Sequence, residues 1–108
     1  MTSKDVTTAL VALERRKMSR GLDSIAHMVA SAVIRETADC TTREDYERDM
    51  AAAKEVAAAM IPLVRDDVPH DFLRLHGDNP QRFTVVMTSY KLGIGVADEI
   101  VRAQKGWQ

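Results

Sequence analysis

"FTVVMTSYKLGIGVADEIV", residues 83–101, decides the fold class, because its β-branched beginning suits a strand while its spacing suits a helix. Phe83, Met87, Tyr90, Ile94, Ala97 and Val101 recur at steps of four and three, so they share one side when each residue turns about 100°. The spacing therefore predicts a helix. Its start is marked by Asn79, which can cap, and by Pro80, whose preset φ and missing N–H suit the first helical position. Val85, Val86, Leu92, Val96 and Ile100 widen the apolar arc past half the circumference, and only Thr84, Lys91, Asp98 and Arg102 keep a narrow strip polar. An arc that wide requires two neighbours. Gly93 and Gly95 each cost a helix interior about 1 kcal/mol relative to alanine, which close approach of another backbone would offset; a local break is the alternative.

Upstream, "MAAAKEVAAAM" at 50–60 is rich in the best helix former. Thr41-x-x-Glu44 has the form of a capping box, and beyond it Tyr46, Met50, Ala53, Ala57, Met60 and Val64 form a stripe of helical period. Pro62 should kink or stop that helix near Ile61. In the first third, Val6, Ala9, Leu10 and Leu13 make one stripe, and Leu22, Ile25, Ala26, Val29 and Val33 another. On one straight helix the two would lie about 150° apart. A break near Gly21, with Asp23 capping a second helix, lets both stripes face one core. The expectation is a single all-α domain over 1–108: an up-and-down bundle of about four helices plus a short connector helix, dimeric.

At 108 residues the chain can bury about two-thirds of its unfolded surface. Its longest uncharged apolar run, "VAAAMIPLV" at 56–64, is well short of the roughly 20 residues of a membrane span. A single cysteine, Cys40, excludes an intramolecular disulfide, and the first residues lack the order of a secretory signal, so a cytoplasmic home is expected. Net charge is −1, unevenly placed: residues 1–35 carry six Lys/Arg against three Asp/Glu, and residues 36–71 carry four against ten. Such asymmetry steers a partner or separates two solvated faces.

Candidate chemistry is sparse. "PHDFLRLHGDNP" at 69–80 joins two helices: Asp67 can cap a short helix over 69–75, with apolar contacts from Phe72, Leu73 and Leu75 and a stop at Gly77. His70 and His76 are six apart, so a helix points them about 240° from each other and they cannot chelate as a pair. The order His27, His70-Asp71, Asp98 is similar to the H…HD…D pattern of the helical HD-domain metal phosphohydrolases, a resemblance that implies a divalent-metal site at those four residues. Against it, His27 shares its side of the helix with Asp23 and Ser31, away from the Ile25/Val29 stripe. Glu44-x-x-Glu47 resembles the first half of the magnesium motif of MazG-type nucleotide pyrophosphatases, but no ExxD follows. Arg15, Arg16, Lys17 and Arg20 form a basic cluster that could engage the phosphates of a nucleic acid, which makes a nucleic-acid-binding regulator an alternative reading, though no aromatic platform stands beside it. Cys40 stands at a helix start with no histidine near it in sequence, and Gly93-x-Gly95 lacks the third glycine of a phosphate loop.

By elimination the chain reads as a non-enzymatic protein-binding module without metal or cofactor: a regulator, inhibitor or assembly adaptor of bacterial or phage type. Its partners are expected to be itself, as a two-fold homodimer, and another protein. The expected interface is Ile34, taken to stand on the outer face of its helix, with Val85, Leu92, Val96, Ile100 and Trp107, the last of which either folds back on the bundle or anchors a partner.

Overall fold

Ser3 opens the first helix by accepting the Val6 N–H on its hydroxyl at 3.1 Å. Helix α1 (Lys4–Arg20) then ends at Gly21, whose left-handed φ of 64° lets its N–H close on the Lys17 carbonyl. Asp23 starts α2 (Ser24–Thr37), accepting the Ala26 N–H at 2.8 Å. The break at Gly21 is therefore present, and both stripes enter one core: Val6, Ala9 and Leu13 from α1, with Leu22, Ala26, Val29 and Val33 from the α2 side. The chain continues through α3 (Arg43–Asp66) and α4 (Pro80–Lys105). The computed structural model describes residues 3–66 and 80–107, apart from the side chains of Arg20 and of residues 61–66 and 80–85. Among the described residues the structure is all-helical, with four helices packed together.

Several local expectations are corrected. The cap of α3 is Thr42, whose hydroxyl accepts the Asp45 N–H at 3.1 Å, one residue later than the Thr41–Glu44 box. Pro62 does not stop α3, which continues to Asp66; a proline one turn from the end removes a single backbone bond. The β-branched start of α4 is helical, and Pro80 opens it. The short helix expected over 69–75, with Asp67 and Gly77 at its ends, and the Asn79 cap lie outside the described residues.

Contact pairs fix the helix directions. Asp5 meets Lys105 and Arg16 meets Glu99, so α1 and α4 are antiparallel. Tyr46 bonds Asp98 and Tyr90 reaches the Lys54 carbonyl, so α3 and α4 are antiparallel too. Asp23 meets Ser89 while Ala26 and Val29 abut Gly93, so α2 and α4 run parallel. Among the described helices the parallel pair makes the most extensive contact, while α1 and α3 flank it. The section is a rhombus with its short diagonal drawn between α2 and α4.

Gly93 explains that diagonal. A Cβ there would stand 2.6 Å from the Ala26 carbonyl oxygen and 2.8 Å from Val29 Cβ, so the two backbones touch because residue 93 has no side chain. This close approach turns α4 about Gly93, and its buried face becomes Ser89, Gly93, Val96, Ala97, Ile100 and Val101. Tyr90 and Ile94, expected at the centre of the stripe, pack at its edge. The wide apolar arc does have more than one neighbour, and its own chain supplies them.

Asp23 serves two helices at once: one carboxylate oxygen caps α2 and the other accepts the buried Ser89 hydroxyl at 2.9 Å. Asp23→Ala is expected to cost about 1–2 kcal/mol, since it removes a cap and leaves a buried hydroxyl without its acceptor. Urea unfolding measures this, and a loss no larger than that of an exposed-site control such as Glu55→Ala would contradict the double role.

Candidate functional site

Where α3 and α4 face each other they are thinly packed, and a groove of about 370 Å³ opens between them. Its wall includes Tyr46, Met50, Lys54, Ile94, Asp98 and Arg102, with Gly95 at its α4 side. Met50 and Ile94 supply apolar surface, while the far wall is a linked polar set. The buried Tyr46 phenol donates to Asp98 Oδ1, which also accepts from Arg102 Nε at 2.8 Å. The Arg102 guanidinium lies 5.1 Å from the centre of the Tyr46 ring.

The chain end completes this cluster. Gly106, at φ 75°, donates to the Ala103 carbonyl, and Trp107 N–H reaches back to Arg102 O at 2.8 Å. That pair of bonds is the Schellman closure of α4, and it carries the Trp107 ring to 5.6 Å from Tyr46. Trp107 is thus half-buried against its own chain, the folded-back arrangement of the tail.

Burial, and then the hydrogen bond to Asp98, push the Tyr46 phenol well above the usual range, so it keeps its proton. The hydrogen bond to Asp98 raises Arg102 likewise. Tyr46, Asp98 and Arg102 therefore act on one another as a strut tying α3 to α4. The i,i+4 Asp98/Arg102 pair and the Gly106-Trp107 ending are legible in the sequence, but their meeting with Tyr46 depends on how α3 lies against α4.

The expected interface residues separate. Ile34 is fully buried, and Val96 and Ile100 are 5% exposed, so all three belong to the protomer's own core. The placement of Ile34 on an outer face is corrected because α2, central in the rhombus, is covered by α1, α3 and α4. Leu92 remains at the surface, 45% exposed, and Val85's side chain is outside the described residues. The other large exposed apolar side chains are Val11, Met18 and Val56 among the described residues.

The four residues of the HD-like pattern are not shown together. His27 bonds Glu14 of α1 at 2.7 Å, whereas Asp98 faces α3, so the two lie on opposite flanks of the α2/α4 pair. His70 and Asp71 lie outside the described residues, as does His76. Glu44 and Glu47 are exposed, and among the described residues no three His, Cys, Asp or Glu are grouped as a metal would need. The basic cluster is divided: Arg16 is committed to Glu99 at 2.7 Å with its Nη1 buried, Arg15 and Lys17 are exposed, and Arg20's side chain is outside the described residues. No helix among the described residues is long and apolar enough to cross a membrane.

Cys40 is buried in the core cluster, and burial raises its thiol pKa. Its reaction with a water-soluble disulfide reagent is expected to be slow in the folded protein and fast in denaturant. Labelling of the native protein as fast as that of a free thiol would contradict this.

Comparison with models of protein families, with curated proteins and with solved structures finds no match to this chain.

Proposed function

We propose that this chain is a small non-enzymatic protein-binding module, a regulator, inhibitor or assembly adaptor of bacterial or phage type, working in the cytoplasm through the solvent face of α4. A two-fold homodimer is the simplest form of that association. One observation carries the reading: α4 exposes Leu92 beside Gly95, and a Cβ on Gly95 would meet nothing within 4 Å. A glycine in a helix interior costs about 1 kcal/mol relative to alanine, and no described residue of the protomer accounts for it. A bare backbone notch next to an exposed leucine suits the close approach of a helix from outside.

The test is a photo-crosslinking amino acid placed at residue 92 and, as control, at Glu55 of α3, in cells of the organism that makes the protein. A protein adduct at 92, with itself or another chain, and none at 55 is the expected result. No adduct at 92, or equal adducts at both positions, would overturn the reading.

A further inference from the structure

Resting on the assignment of the α4 face as the contact surface, we infer that its occupant is α4 of a second copy, packed antiparallel across a two-fold axis near residue 94. Leu92 and Gly95 lie three residues apart on α4, hence on neighbouring positions of one side. An antiparallel two-fold opposes residues whose numbers sum to a constant. With that sum at 187, Leu92 of each copy sits over Gly95 of the other, a projecting side chain entering a notch with no Cβ. The exposed leucine and the bare glycine then account for each other.

Charge supports the same register independently. Lys91 is exposed and makes no hydrogen bond or ion pair with any described residue. Asp98 is half-buried, and its bonds with described residues, from Tyr46 and Arg102, both fall on Oδ1, which leaves Oδ2 without a partner among them. Seven residues apart, Lys91 and Asp98 share one side of α4 but stand two turns from each other, too far to pair within the helix. The two-fold that seats Leu92 on Gly95 brings Lys91 of one copy beside Asp98 of the other, twice by symmetry. A surface carrying both a projection with its notch and a cation with its anion is complementary to itself.

Sedimentation equilibrium of the full chain tests this. The wild type is expected to dimerise, and Gly95→Leu to dissociate the dimer, since Leu92 then meets a leucine, while helix content is kept or raised. Exchanging the two features in one chain, Leu92→Gly with Gly95→Leu, is expected to restore dimerisation. Lys91→Glu is expected to weaken the dimer about tenfold, less at high salt. A wild type monomeric at about 1 mM, well above the Kd range of specific dimers, overturns the inference. So does a dimer indifferent to Gly95→Leu, or an exchange that fails to restore association. An adduct from residue 92 to a different protein alone, with no self-adduct, would sink this inference and leave the binding-module reading standing. Absence of any adduct at 92 would sink both.

Discussion

Gly93→Ala is expected to destabilise the protein by about 1–3 kcal/mol, although alanine is the better helix former by about 1 kcal/mol. The added methyl would stand 2.6 Å from a backbone oxygen of α2, which cannot swing aside as a side-chain tip could, so the two central helices must part. Separation along the short diagonal loosens Val29, Val96 and Ala97 together. Gly95→Ala, two residues on, has the opposite sign. It meets nothing and should stabilise the dilute, dissociated chain by up to about 1 kcal/mol. Urea midpoints of the two variants and the wild type, measured at the same low concentration, provide the comparison. Equal shifts in the same direction would show that α2 and α4 do not touch at Gly93.

Tyr46→Ala is expected to cost more, about 3–5 kcal/mol, the range for a fully buried aromatic, and a domain's whole stability is about 5–15 kcal/mol. The loss includes the ring's contacts with Trp107 and Arg102 as well as the phenol bond to Asp98. Tyr46→Phe removes only the phenol oxygen and should cost about 1 kcal/mol. The phenol also predicts a pH dependence. Because the folded protein holds the Tyr46 proton above the usual phenol range, both states are protonated below about pH 10 and the group's contribution is fully present there. Above that pH the unfolded chain sheds the proton while the folded chain keeps it, so stability falls by up to about 1.4 kcal/mol per pH unit. Thermal or urea unfolding from pH 9 to 12 should show this slope in the wild type and a shallower one in Tyr46→Phe. Identical slopes would refute the account.

The helices were legible because their signals are local. Gly21 and Asp23 mark a stop and a start within three residues, and each makes its capping bond with its own chain neighbours, so no distant part of the molecule was needed to place the break. The α3 stripe of Tyr46, Met50, Ala53 and Ala57 is buried as its spacing requires. At the start of α3, Thr41 and Thr42 are adjacent and chemically alike, and only the backbone path selects the second. The candidate contact surface was read less well. Leu92 stayed outside, but Ile34, Val96 and Ile100 went inside, because periodicity states how much of a helix is apolar and not which neighbour covers it.

Capping groups and a 3.6-residue period act over a few residues, so the all-helical class, the break between α1 and α2 and the apolar side of α3 are written into the chain locally. Tertiary structure alone decided that α2 and α4 form the short diagonal, that Asp98 meets Tyr46, and that one of two similar glycines is packed while the other is bare. The reason is physical: a missing Cβ has meaning only through what approaches it, and that depends on chain segments more than sixty residues away.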